Sequence, residues 1–167
     1  MRLFLIARHW QITTMQLIPI ACIFWVGKFL SPVQVSFMWL LLVSVSVIWI
    51  YSIGAAANLA LEPALQRNVM KFRIATCASL FILVMVLPIM YRLSQTDSAP
   101  QGWLVLLLFA GMASFYYMLW YAASQFVAAE KKAEASYSEF ALPILGFWFS
   151  IVGVWFLQPR VNRVLGS

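Results

Sequence analysis

A chain of 167 residues that is 64% hydrophobic, 16% aromatic and 10% charged, with a formal net charge of +6, lacks the polar surface that a water-soluble domain of this size needs; soluble domains average about 25% charged residues. The composition describes an all-α polytopic transmembrane helical bundle, one domain over residues 1–167, with a bilayer as solvent for its outside. It excludes a disulfide framework and a zinc site, because Cys22 and Cys77 both fall inside apolar runs with no Cys/His partner spacing and read as small buried hydrophobes.

At the N-terminus, Arg2 precedes the apolar group Leu3 to Ile6, but Arg8 and His9 interrupt it within a few residues, so a secretory signal is not expected. The stretch Pro19-Ile20-Ala21-Cys22 faintly resembles a lipoprotein cleavage site, yet apolar sequence continues to Phe29 and cleavage would destroy a span. Met15 to Leu30 is the first predicted span and Val33 to Leu61 the second. Ser31-Pro32 between them must be a tight turn, since Pro cannot continue a helix and biases the preceding residue away from α geometry. In the segment that follows, Asn58 is placed to bond Glu62 or a neighbouring helix end, and Pro63 to open a short helix. The third span is predicted over Ile74 to Tyr91 and the fourth over Trp103 to Ala129, the fourth running on as a polar helix through Glu130-Lys131-Lys132-Ala133-Glu134. At about 1.5 Å per residue, spans of this size match a hydrocarbon core of about 30 Å.

The fifth apolar stretch, Ala141 to Leu157, contains Pro143, Gly146 and Gly153, with Ser150 near its centre. It fits a straight span or two half-helices that enter and leave on one side, with protein burying the irregular backbone between them. Basic residues concentrate on the cytoplasmic side of spans. With the N-terminus cytoplasmic, Arg2, Arg8, Arg67, Lys71, Arg73, Lys131 and Lys132 lie inside and Lys28 and Arg92 outside. A re-entrant fifth stretch adds Arg160 and Arg163 to the inside and a crossing one adds them to the outside, so the asymmetry favours re-entry.

An ionisable group at membrane depth is the usual mark of a membrane enzyme or proton-coupled carrier, and Glu62, Asp97, Glu130, Glu134 and Glu139 all fall between predicted spans. Ser44, Ser46, Ser52, Ser114 and Ser150 have no histidine or lysine at a nearby helical spacing, so no catalytic residue, metal ligand or cofactor is expected. A lipid-modifying enzyme would have to draw on His9, Glu62 or Asp97. The pairs Ser52/Ala56 and Ala110/Ser114 have the small-xxx-small spacing of close helix packing. Arg67, Lys71 and Arg73 could hold an anionic lipid head or an acidic partner, against the plainer reading of a positive cytoplasmic loop. Tyr116, Tyr117, Trp120 and Tyr121 share two adjacent helix faces and could form a ligand wall, or an interfacial belt with packing.

The pieces Tyr51-Ser52-Ile53-Gly54 with Asn58, Arg67-Asn68 with Phe72, Tyr121-Ala122-Ala123 through Glu130, Tyr137-Ser138-Glu139-Phe140, and the tail Trp155-Phe156-Leu157-Gln158-Pro159-Arg160-Val161-Asn162 resemble a group of small polytopic bacterial inner-membrane proteins with an aromatic C-terminal segment ending in Gln-Pro-Arg-x-Asn. The resemblance covers about two-thirds of the chain. It implies a bacterial inner (plasma) membrane and a functional interest in Gln158, Pro159, Arg160 and Asn162, but no reaction. The expectation is a non-enzymatic accessory or scaffold subunit that packs with other membrane subunits or copies of itself, docks through a basic cytoplasmic face bearing Arg67, Lys71, Arg73, Gln158, Arg160 and Asn162, and binds no nucleic acid. The alternative is a small homo-oligomeric channel or carrier lined by the broken segment at Pro143, Gly146 and Gly153.

Overall fold

The computed structural model describes residues 8–95 and 102–165, which fold into six α-helices. Four are long and apolar enough to cross a membrane, over His9–Phe29, Val33–Ala60, Val69–Val86 and Gly102–Lys131. This is a multi-pass helical membrane protein. Large side chains such as Phe24, Trp25, Phe29, Leu106 and Phe156 point outward, where lipid and not water is the matching solvent.

Helix α1 (His9–Val26) begins six residues before the predicted span, because its polar residues satisfy themselves. The Thr13 and Thr14 hydroxyls donate to the carbonyls of His9 and Trp10 one turn back, at 2.9 and 2.7 Å, and Gln16 is buried. After a 3-10 turn over Gly27–Phe29, Ser31 caps α2 (Pro32–Ala60): Ser31 Oγ accepts from the Gln34 N–H at 3.4 Å and Gln34 Oε1 from the Ser31 N–H at 2.8 Å. Pro32 occupies the first helical position, where a missing N–H removes no bond, so the predicted hairpin turn forms.

The next connection differs from expectation. Pro63 opens no helix and sits in a single turn closed by the Leu65 N–H on the Glu62 carbonyl at 2.9 Å. Asn68 Oδ1 then caps α3 (Val69–Gln95) by accepting from the Met70 and Lys71 N–H groups at 2.8 and 3.4 Å. Helix α4 (Gly102–Lys131) is buried by its neighbours over nearly all of Met118–Ala128, a stretch that includes the polar Ser124 and Gln125. One close contact with α2 is plain in the geometry. It falls at Gly54, where a Cβ would lie 2.8 Å from Phe72 Cζ and 3.1 Å from Ala122 Cα; Ala110 is exposed. Cys22 is half-buried and Cys77 exposed on the lipid side, so neither is a core residue. Nor does α4 continue as a polar helix through Glu134. Lys132 adopts a left-handed φ of 56° and the Ala133 N–H returns to the Ala128 carbonyl at 3.3 Å, which ends the helix.

The fifth stretch is two helices, α5 (Tyr137–Trp148) and α6 (Ser150–Leu165), broken at Phe149 with φ −93° and ψ 56°. Ser136 and Glu139 form the capping box that starts α5. The arms are antiparallel and so close that a Cβ on Gly153 would lie 1.7 Å from the Gly146 carbonyl oxygen. Both outer ends return to the end of α4, through Lys131–Glu139 and through Arg160–Glu130 at 2.5 Å. The tip reaches mid-depth: Gln16 Nε2 donates to Ser46 Oγ at 3.0 Å and to Ser150 Oγ at 3.2 Å. Of the two arrangements open from sequence, the chain adopts the re-entrant hairpin. A Cβ on Gly146 would meet only the flexible end of Leu157, at 2.7 Å. Gly153→Ala should therefore cost about 3 kcal/mol or more by overpacking, and Gly146→Ala clearly less. Thermal denaturation of the two variants in mild detergent checks the order.

Candidate functional site

Topology sorts the charges. Helix α1 starts, α2 ends, α3 starts, α4 ends and the re-entrant hairpin both starts and ends at one end of the bundle. Among the described residues, every acid and every Lys or Arg other than Lys28 and Arg92 belongs to that end. Arg2 and Asp97 lie outside the described residues.

The loop from Leu61 to Asn68 is the frame of the site. Asn58 Oδ1, on the last turn of α2, accepts from the Arg67 N–H at 2.8 Å, and Gln66 Nε2 donates to the Leu61 carbonyl at 2.8 Å. Of its two expected partners, Asn58 therefore takes neither Glu62 nor a helix terminus but the loop backbone. Tyr121 supports the same point from α4, its hydroxyl donating to the Arg67 carbonyl at 3.3 Å. Below it Tyr51, Phe72 and Tyr121 stack, with centroids 5.1 and 4.2 Å apart. Such stacks stabilise beyond area burial and hold three helices in register. With the backbone fixed at both its N–H and carbonyl, the Arg67 guanidinium lies 4.6 Å over the Trp120 ring and 3.5 Å from Ser124 Oγ.

The predicted docking residues divide. Arg67, Lys71 and Arg73 are exposed at the charged end. Arg160 is there as well, paired with Glu130 and 5.5 Å over the Phe126 ring. Gln158 is instead interior, with no exposed surface: its Oε1 accepts from Trp49 Nε1 at 2.7 Å and its Nε2 donates to Asn162 Oδ1 at 2.8 Å. The pair ties α6 to α2 because a buried indole N–H needs an acceptor. Pro159 is exposed beside it.

The aromatic wall divides too. Tyr121 is in the buried stack, Tyr117 packs on Trp120 and Tyr121 at 5.7 and 6.4 Å, and Tyr116 faces α5, its hydroxyl 3.4 Å from that of Tyr137. Pro143 is buried within α5, where it lacks the N–H that would meet the Glu139 carbonyl. His9 packs on Trp155 at 4.5 Å and Glu62 is exposed in the turn after α2. Among the described residues no group of three or more His, Cys, Asp or Glu could hold a metal. The Gln16–Ser46–Ser150 cluster escaped sequence reasoning; its signal was the isolated Gln16 on the apolar face that also carries Ile12 and Pro19.

Lys131 beside Glu139, aided by the Ser136 N–H and hydroxyl, holds the Glu139 carboxyl down at about 2 from an ordinary 4.5. A carboxylate whose folded value is depressed stabilises above its unfolded value and loses that contribution as pH falls toward the folded one. Replacing Glu139 by Gln should therefore flatten the loss of thermal stability expected of the unaltered chain as pH falls from 4.5 to about 2, checked by thermal denaturation across that range. Gln158→Leu should cost about 1–3 kcal/mol by orphaning the Trp49 N–H, and Trp49→Phe in the same chain should recover part of that loss in denaturation experiments. No protein-family model, curated protein or solved structure matches the chain.

Proposed function

We infer that this chain is a non-enzymatic accessory or scaffold subunit of a bacterial inner membrane, with its charged end and N-terminus cytoplasmic. The observation that carries the reading is the separation of charge from membrane depth. By their positions along the helices, the charged residues described gather at one end apart from Lys28 and Arg92, while the buried polar groups, including Gln16, Asn58, Gln125 and Gln158, are neutral. Chemistry inside a membrane ordinarily needs an ionisable group there. The basic excess supports a cytoplasmic placement by the positive-inside rule. The aromatic tail ending in Gln158-Pro159-Arg160 supports the bacterial setting through its resemblance.

Ion pairing sharpens the docking face. Glu130 and Glu139 are taken by Arg160 and Lys131, so the net positive field comes from Arg8, Arg67, Lys71, Arg73, Lys132 and Arg163, which outnumber Glu62 and Glu134. An acidic patch on another membrane subunit is the matching surface. The channel reading has less support, since the hairpin turns Gly153, Val154, Leu157, Gln158 and Val161 into protein and leaves its outer face to apolar residues such as Val152 and Phe156.

Two measurements test this. In a chain freed of Cys22 and Cys77, a cysteine in place of Arg163 should resist an impermeant maleimide in intact cells and react once they are opened; labelling from outside reverses the orientation. In native electrophoresis of gently solubilised membranes the chain should migrate in an assembly well above its own 19.0 kDa. Combined Lys71→Gln, Arg73→Gln and Arg163→Gln should release most of it, and a monomer in the unaltered membrane would sink the scaffold reading.

A further inference from the structure

The polar cluster at the hairpin tip has a proton count that leaves only acceptors open. An amide NH2 offers two protons and a hydroxyl one. Gln16 spends both, on Ser46 Oγ and Ser150 Oγ. The Ser46 hydroxyl donates to the Leu42 carbonyl one turn back at 3.0 Å; Ser46 and Ser150 Oγ lie 3.1 Å apart, and with the Ser46 proton so used, the arrangement that satisfies every contact at once has Ser150 as the donor. Ser46 Oγ then has both lone pairs occupied, whereas Ser150 Oγ keeps one. Gln16 Oε1, on a side chain with no exposed surface, has no partner at all. Leaving a buried carbonyl unpaired is costly; that carbonyl is not part of the cavity wall, whereas Ser150, held by the same amide, is.

Ser46 and Ser150 are the polar pole of a cavity of about 320 Å³ between α2, α3, α4 and the hairpin. Leu83, Met112, Phe115 and Trp148 line it, and its wall carries no charged side chain. The Phe115 and Trp148 rings meet edge to face at 6.0 Å. The volume lies at the lower end of small-molecule sites, which run from about 300 to 1,000 Å³. A water occupies about 30 Å³ and would leave nearly all of it empty. A hydrocarbon tail would fill the wall and leave the Ser150 acceptor unmet, and in this arrangement a ketone or quinone oxygen would set acceptor against acceptor. A charged head is excluded by depth, since Ser46 lies in the middle of α2.

We propose that this cavity binds an uncharged apolar alcohol, of the long-chain or isoprenoid class, whose hydroxyl donates to Ser150 Oγ and whose chain lies between α3, α4 and α5. The site is independent of the basic end and of the scaffold role.

The test uses the full chain in phosphatidylcholine bilayer discs and a chain of about ten carbons bearing a mid-chain diazirine, ending in a hydroxyl, a methyl ketone or a methyl group. After illumination, peptides are mapped. The alcohol should label the segments holding Met112, Phe115 or Trp148 about three- to tenfold more than the other two, the discrimination that one hydrogen bond gives. Ser150→Ala should remove that preference. Leu83→Trp, which fills the cavity and leaves the hydrogen-bonded cluster in place, should stop labelling there by all three probes, so a poorly folded Ser150→Ala chain does not end the test. Equal labelling by alcohol and hydrocarbon, preference for the ketone, or labelling only outside the cavity would each overturn the proposal, the last leaving a water as the cluster's partner.

Discussion

At the point where Gly153 passes Gly146 there is space for two backbones and nothing more. That approach lets two helices occupy a cleft beside α1, α2 and α4. From it follow the rest of the hairpin's contacts: Ser150 reaches Gln16 and Ser46, Gln158 reaches Trp49, and the chain returns to the end where Glu130 awaits Arg160. A side chain at 153 would separate the arms and move all of these contacts together. The constraint behind it is that no water lies at membrane depth, so the backbone at the Phe149 break has to be enclosed by protein and satisfied locally. The Phe149 N–H meets the Leu145 carbonyl at 2.9 Å and the Gly153 N–H meets the Phe149 carbonyl at 2.7 Å, so the last bond of α5 and the first of α6 both close on Phe149.

The polar groups inside the bundle follow the same constraint. Three neutral amides there join elements: Gln16 links α1 to α2 and α6, Gln158 links α6 to α2, and Asn58 links α2 to the loop before α3, while hydroxyls such as Ser52, Thr76 and Ser79 bond within their own helices. Apolar packing between helices has little drive in lipid, where the tails are as apolar as Leu, so such bonds and close small-residue contacts select the register. The exposed ion pairs at the charged end stabilise little in a screened setting. Their role is geometric, setting where α5 begins and α6 ends relative to Lys131 and Glu130.

Much of the architecture was legible because bilayer thickness and proline rules act on sequence directly. Ser31-Pro32 turns where expected, the long apolar runs are helices, and the count of basic residues on each side favoured the re-entrant form that the two half-helices take. What was not legible depends on contacts between distant segments. Nothing local distinguishes Gln158 as an interior residue from Gln158 at a docking face; the difference is Trp49, 109 positions earlier. The pairing of Gly54 with Ala122 was hidden for the same reason, since small-residue spacing is common in apolar helices and only the crossing shows which positions touch. Lys132 ends α4 through a left-handed conformation that Gly usually supplies, so the stop carried no sequence signal.

The hairpin arms are also too short to act alone. At about 1.5 Å per residue, α5 and α6 reach about 18 and 24 Å, less than a hydrocarbon core of about 30 Å. Pro143 and Pro159 each remove a helical hydrogen bond from them. Neither arm is a stable independent span, whereas α1 to α4 each have the length and apolarity of one. The hairpin therefore depends on the cleft that the four spans form, where Gln16, Ser46 and Trp49 are its partners. An element too short to span alone draws its stability from its neighbours, which is why the least autonomous part of the chain carries its most specific polar contacts.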